Sequence, residues 1–390
     1  MVGWGNSGEK YYFNVAKTEV MKCELQLNAA IRKLDSSSLD SVFFCYGKNY
    51  LQQLIAFDQS SASYLGCGLQ GSVFAFANRN DGQVCSDICA IKVIRNPNPD
   101  AVDHELRFLC LPRHTNVAAL QGARVDRVVS RGPASEVEVM FSYELATMGS
   151  VEEILRASGA MVESTVRSWV VQTLRGLQHL HCVANVAHLD IKPGNLLLYG
   201  GAASTPAGCD LRICDFGSCE TMGTKCLHTR GTPLYMSPTH VSAARPPALT
   251  SQPFVEFIAA LSRTTARSDW TGCIVVWQAR GNFIVDHRPD VWSLAVTAIE
   301  ALTGAHPLAL PSPDPRLEPS PEPESAPAQL FRVGCLPGAP RHDLALADAG
   351  LRAFLDGALA VTPATRAGMV GLVDAVGMSP RALLARMGSS

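Results

Sequence analysis

Two short phrases, read in order, constrain this chain more than anything else in it. His188-Leu189-Asp190-Ile191-Lys192-Pro193-Gly194-Asn195 is followed, twenty residues past its asparagine, by Asp215-Phe216-Gly217. Pro193 and Gly194 make the first phrase a turn rather than a helix or a central strand. The second closes the β-favouring run Leu211-Arg212-Ile213-Cys214. A fold that serves both must place a loop carrying an acid, an amine and an amide beside a strand end carrying another acid. A helix cap or a turn would account for one of these carboxylates, but not for both phrases in this order.

A third phrase lies upstream. Gly66-Cys67-Gly68-Leu69-Gln70-Gly71-Ser72-Val73 has the spacing G-x-G-x-x-G-x-V. A dinucleotide-binding turn shares the three glycines, but it needs a helix opening at the last of them. Here Ser72-Val73-Phe74-Ala75-Phe76 alternates as a strand does. Strand, turn, strand fits a lid of backbone N–H groups over phosphates, where Gly66, Gly68 and Gly71 allow close approach without a Cβ. The run Ala90-Ile91-Lys92 then sets an ammonium on the next strand, suited to α- and β-phosphates. Glu105, on a candidate helix, could hold that ammonium. A glycine-rich hairpin, a strand-end lysine and a solvated helix carboxylate are the plain alternatives for these positions.

Phosphoryl transfer through a loose transition state needs positioning and charge neutralisation more than covalent chemistry. Asp190 would accept the proton of a substrate hydroxyl, Lys192 would face the transferring group, and Asn195 and Asp215 would hold Mg²⁺ beside ATP. From about Leu65 to Met369 the chain resembles the eukaryotic protein kinase superfamily. Gly231-Thr232-Pro233-Leu234-Tyr235-Met236-Ser237-Pro238 looks like the end of that family's activation segment, and Asp290-Val291-Trp292-Ser293-Leu294 like the start of its central buried helix. The resemblance implies that Leu65, Val73 and Ala90 line the ATP site, and that Glu144 and Ala146 belong to the hinge that meets adenine. Lys192 with Gly231-Thr232 is the serine/threonine pattern. Leu189, where cellular kinases usually carry arginine, makes the loop similar to that of the conserved herpesvirus protein kinases, especially the alphaherpesvirus branch. That similarity implies a virion tegument kinase that also works in the host nucleus on viral and host proteins. A nucleotide-binding pseudokinase scaffold and a small-molecule kinase are the competing functions. The intact set Lys92, Asp190, Asn195 and Asp215 disfavours the first, and Thr232 with Pro238 disfavours the second.

The expected fold class is α+β: a bilobal, protein-kinase-like fold with a small β-rich lobe and a larger helical one. Residues 1–60 read as an N-terminal extension with one candidate helix around Val20 to Leu34. Residues 61–147 read as the small lobe and hinge, 148–378 as the large lobe, and 379–390 as a tail. Helical spacing of Trp169, Val170, Leu174, Leu177, Leu180 and His181 marks the second lobe. Inside it, residues 240–289 form an insert with a candidate helix at Phe254 to Leu261. A candidate hairpin returns Cys273–Trp277 as Phe283–Val285. Residues 311–327 hold seven prolines and read as a loop.

Composition narrows the partners. Lys plus Arg number 33 against 35 Asp plus Glu, a formal charge of -2, so no global field attracts nucleic acid. Direct nucleic-acid binding and membrane insertion are not expected. Met1 to Val15 lacks a signal-peptide core, and Val2 is not a myristoylation start. The apolar stretch Val291 to Leu310 is interrupted by Glu300 and His306, as suits a buried helix. The 13 cysteines form no C-x-x-C pair and read as reduced intracellular thiols. One departure stands out. Thr239 replaces the glutamate that the family pairs with an arginine here resembled by Arg366, leaving Glu300 or Glu256 as candidate partners. Leu189 also predicts activation without phosphorylation of the loop after Gly217, since it offers a loop phosphate neither charge nor donor.

Overall fold

The computed structural model describes residues 2–7, 10–14, 41–45, 54, 56–68, 71–80, 83–95, 113–128, 136–201, 204–226, 230–237, 283–307, 346–359 and 372. The chain divides into two compact units, Met1–Thr147 and Met148–Ser390. Glu105, Thr239, Arg366, the insert from 240 to 282, the proline-rich stretch and the candidate helix around Val20 to Leu34 lie outside the described residues.

The first unit is built on one sheet of eight strands: β1 (Val2–Ser7), β2 (Lys10–Asn14), β3 (Ser41–Cys45), β4 (Ser63–Gly68), β5 (Gly71–Asn80), β6 (Gln83–Arg95), β7 (Leu120–Val128) and β8 (Glu136–Glu144). Their order across the sheet is β1-β2-β3-β7-β8-β6-β5-β4. All neighbours are antiparallel except β2 and β3. The extension expected at 1–60 is therefore in part an enlargement of the sheet. Its runs Tyr11-Tyr12-Phe13 and Val42-Phe43-Phe44 are of the aromatic and β-branched kind that suits strands.

Side-chain alternation fixes the faces of the inner strands. Phe74 and Phe76 on β5 stand opposite Ile91 and Cys89 on β6, and with Val93, Met140, Leu54 and Phe57 they form a buried cluster on one face of the sheet. The Phe57 and Phe76 rings meet edge to face, 5.4 Å between centroids. Burial pushes the Cys89 thiol up to about 11, as befits a packing residue rather than a reactive one. The period of two then turns Val73, Ala90 and Lys92 to the opposite face.

The second unit is mainly helical. Helix α1 (Val151–Ser158) opens on a capping box in which Glu153 N–H donates to Ser150 Oγ at 3.2 Å and Ser150 N–H donates to Glu153 Oε2 at 2.7 Å. Helix α2 (Glu163–Cys182) buries Trp169, Val170, Leu174, Leu177, Leu180 and His181 along one stripe. Helix α3 (Arg288–Thr303) is buried from Pro289 through Ile299, with Asp290, Ser293 and Thr297 among mainly apolar residues, so protein surrounds it. Helix α4 (Ala349–Ala358) is tied to α2 where Ala347 and Asp348 amides donate to the Glu163 carboxylate. Among the described residues no helix is long and apolar enough to cross a membrane.

Short ladders shape the loops of this unit. Strand β9 (Val186–Ala187) pairs with β12 (Glu220–Thr221), and β10 (Leu196–Tyr199) with β11 (Asp210–Ile213). Strand β13 (Lys225–Cys226) pairs with β14 (Phe283–Ile284). Phe283–Ile284 thus has the loop after Gly217 as a partner, while Cys273–Trp277, the expected other arm of its hairpin, lie outside the described residues. A two-residue ladder carries no turn signal of its own, so nothing local announces which strand it joins.

Candidate functional site

The sequence-predicted residues fall in both units. In the first, β4 and β5 form the expected strand-turn-strand, with Gly68 opposite Gly71 and Cys67 opposite Ser72. Gly71 has φ +155°, and a Cβ there would run into the Val93 carbonyl oxygen, so no other residue fits this crossing. Gly66 has open space around it. Leu65 is half exposed, at the irregularity between Tyr64 and Gly66. Val73 and Lys92 face each other in register on the side of the sheet opposite the Phe74–Phe76 cluster, and Ala90 shares that side. Glu144 ends β8 and is exposed, while Ala146 two residues on is half-buried.

In the second unit the His188–Asn195 phrase is a loop between β9 and β10, closed by a 3-10 turn at Pro193–Asn195. Its Asp190 is 7% exposed, and its carboxylate is almost fully engaged. Oδ2 accepts from Lys192 Nζ at 2.9 Å and from Asn195 Nδ2 at 3.0 Å; Oδ1 accepts from the Thr232 amide at 2.7 Å. Lys192 Nζ also donates to Thr232 Oγ1 at 2.6 Å. Each carboxylate oxygen has about two lone-pair sites. Oδ2 is therefore saturated and Oδ1 keeps one acceptor site.

His188 holds the loop to the strand that ends in Asp215. The Cys214 carbonyl can only accept, so the His188 Nε2–H donates to it at 3.0 Å, and Nδ1 is left to accept the Asp190 amide at 3.3 Å. The Asn195 carbonyl accepts from the Cys214 amide at 3.0 Å. Phe216, 1% exposed, sets its ring edge to face with His188 at 5.5 Å. Asp215 is exposed, with φ +63°. For a residue other than glycine this left-handed conformation needs support from its surroundings, and here it re-aims the carboxylate at the strand end.

Beneath the loop is a residue that motif reading assigned only to the start of a helix. Asp290, fully buried in the first turn of α3, accepts from the His188 amide at 2.8 Å, the Leu189 amide at 2.6 Å and His181 Nε2 at 2.7 Å. Leu189 has φ +63°, a strained setting for a branched side chain, and Asp290 grips the amide on its N-terminal side. Burial alone would raise the Asp290 pKa, but the hydrogen bond and charge of His181, with the contributions of His188, hold it below the usual aspartate value. The signal available in sequence was a lone acid opening an otherwise apolar run.

Gly231 completes the arrangement. It has φ +100°, and a Cβ there would meet the Leu189 carbonyl oxygen inside van der Waals contact. Gly231→Ala should therefore displace Thr232, break its amide bond to Asp190 Oδ1, and cost about 1–3 kcal/mol locally. The expected result is a fall in kcat of at least ~10-fold with the melting temperature lowered by only a few degrees. Steady-state kinetics and calorimetry on the same preparation check it.

Further along, the Tyr235 hydroxyl donates to Glu300 Oε2 at 2.6 Å. Burial and the Glu300 charge push the phenol well above its usual range, and burial raises Glu300 too. Glu300, a candidate partner for Arg366, thus has Tyr235 as a partner. Among the described residues no group of three or more His, Cys, Asp or Glu side chains could by itself hold a metal ion. The donor set nevertheless fits one. Asn195 commits its amide nitrogen to Asp190 O at 2.8 Å and Oδ2 at 3.0 Å, which leaves its oxygen, and Asp215 supplies carboxylate oxygens. Two hard oxygen donors, completed by phosphates and water, are what Mg²⁺ takes.

This fold and this loop define the protein kinase class. Residues 60–250 match the protein kinase domain family, and the chain has an α+β, bilobal protein-kinase-like fold. It is 32% identical over 189 residues to mitogen-activated protein kinase 2 of Arabidopsis thaliana, covering 46% of each chain. It is 35% identical over 162 residues to mitogen-activated protein kinase 7 of the same plant, covering 40% of this chain and 39% of that one. To mitogen-activated protein kinase homolog NTF3 of Nicotiana tabacum it is 32% identical over 189 residues, 46% of each chain. The chain thus spans less than half the length of these curated relatives.

Proposed function

We propose that the chain is a serine/threonine protein kinase that transfers the γ-phosphate of ATP to hydroxyl groups of protein substrates. The observation that carries this is the Asp190 carboxylate, held by Lys192, Asn195 and Thr232 with one acceptor site left on Oδ1. The incoming serine or threonine hydroxyl gives its proton to Asp190 as its oxygen bonds to the γ-phosphorus. The bond from that phosphorus to the β,γ-bridging oxygen breaks, and ADP leaves. Lys192, shared between Asp190 and Thr232, supplies positive charge where the transferring group becomes most exposed. Lys92 takes the α- and β-phosphates with Glu105 as its support, and Leu65, Gly66, Gly68, Gly71, Val73 and Ala90 cover the nucleotide. Glu144 and Ala146 offer backbone groups to adenine. Mg²⁺, when bound at Asp215 and Asn195, neutralises phosphate charge.

Asp215→Ala should abolish Mg²⁺-dependent ATP binding while leaving the fold intact, because Asp215 is exposed. Calorimetric titration of ATP with and without Mg²⁺ reads this. Affinity that still rises on adding Mg²⁺ would remove Asp215 from the metal site.

The finer assignment, a herpesvirus tegument kinase acting on viral and host proteins in the host nucleus, is supported by the phrase His188-Leu189-Asp190-Ile191-Lys192-Pro193-Gly194-Asn195 with leucine before the aspartate. Its test is a phosphoproteomic comparison of cells expressing the protein and its Asp190→Asn variant. Nuclear and viral substrates should lose phosphate in the variant.

A further inference from the structure

Leu189 is 3% exposed and packs in a buried cluster with Ala187, Cys226 and Val285, with Met222 against its side. These residues come from three places. Ala187 and Leu189 lead into the catalytic loop, Met222 and Cys226 lie in the activation segment, and Val285 lies just before α3. The backbone ties the same three places together. Met222 N–H donates to the Asn185 carbonyl at 2.9 Å, beside the pairing of β12 with β9. Gly223 N–H donates to the Val285 carbonyl at 2.8 Å and Val285 N–H to the Thr224 carbonyl at 3.0 Å, continuing the ladder of β13 with β14. Five residues past Val285, Asp290 accepts from the Leu189 amide. One stretch of chain, 283–290, therefore engages Leu189 twice, by an apolar side chain and by a carboxylate.

We propose that Phe283–Val285 is an internal strap and that Val285 is a positioning residue for the kinase reaction. By covering Leu189 and pairing with the activation segment, it holds that segment and the backbone of Asp190 in the arrangement used for transfer. A phosphate on the loop would need a charged receiver at position 189, where Leu189 offers neither charge nor donor. An apolar seam needs none, and it forms whenever 283–285 is in place. The inference rests on the kinase reading above and names what stabilises its active arrangement.

The test uses the full chain made in bacteria and treated with phosphatase. Val285→Asp puts a charge into the seam. It should lower kcat by at least ~10-fold, a barrier change of about 1.4 kcal/mol, with KM for ATP unchanged. The Gly223 and Val285 amides should exchange hydrogen faster. Val285→Ile, which keeps the apolar surface, should restore both readouts. Cys226→Ser, a milder change in the same seam, should move both in the same direction should Val285→Asp fail to fold. Replacing Thr221, Thr224 and Thr229 together by alanine should leave kcat within about twofold of wild type. Wild-type kcat in Val285→Asp, or a tenfold loss in the threonine variant recovered by loop phosphorylation of the wild type, overturns the strap alone. Absence of transfer from the wild type to any protein substrate overturns the kinase reading and the strap's role with it, whatever the amide exchange shows.

Discussion

Asp190→Asn should lower kcat by about 10²–10⁴-fold, the reach of a positioned general base, and the geometry says why the loss is not confined to basicity. Oδ1 accepts from the Thr232 amide while Oδ2 accepts from Lys192 and Asn195. An asparagine has one acceptor end and one donor end. In either orientation its NH₂ group faces a donor: the Thr232 amide, or the Lys192 and Asn195 nitrogens. The variant therefore loses the proton acceptor and also slackens Lys192 and the Gly231-Thr232 turn. In the proposed reaction other residues hold ATP, so KM for ATP should stay near the wild-type value while kcat and kcat/KM fall together. Steady-state kinetics with a protein substrate and saturating Mg²⁺-ATP read this. Activity within tenfold of wild type would take Asp190 out of the reaction.

What the sequence disclosed and what it hid divide along one physical line. The His188–Asn195 and Asp215–Gly217 phrases were legible because their chemistry requires fixed residue types within a few positions. The strands β5 and β6 were legible because Phe74 and Phe76 are spaced by Ala75, and Ile91 and Val93 by Lys92, at the period of two. Asp290 was not legible as a site residue, since its partners Leu189 and His188 lie 101 and 102 residues upstream. The Tyr235–Glu300 bond, across 65 residues, was hidden in the same way. Pairing of β14 with β13 escaped for a related reason: Phe283–Ile284 is a strand by composition, and composition does not name a partner. The three strands before residue 46 were read as extension because their aromatic runs are short and widely separated. Contacts made within a turn of chain leave a pattern, and contacts made across a hundred residues leave only an odd residue out of place.

The largest stability effect expected in this molecule follows from such a residue. Asp290→Ala would leave the His188 and Leu189 amides and His181 Nε2 buried without their acceptor. Among the described residues His181 Nδ1 has no hydrogen-bond partner, so within them the ring would lose its hydrogen bond to the fold. Stranding groups that had been paired with a buried charge costs about 3–5 kcal/mol, roughly a 10 °C fall in melting temperature for a unit of this size. Asp290→Asn should recover part of it, because its amide oxygen can still accept while its NH₂ opposes the remaining donors. The dependence on pH separates this cause from a packing defect. The folded-state pKa of Asp290 is depressed below the ordinary value of 3.8, so the unfolded chain binds its proton first as pH falls. The stabilisation is then complete above that value and is lost progressively below it, as pH drops through the folded pKa. Denaturant melts of wild type and Asp290→Asn at neutral pH and at steps below pH ~4 should therefore converge toward the acid end. A gap that stays constant across that range would mean that the Asp290 carboxylate supports the catalytic loop by its shape rather than by its charge.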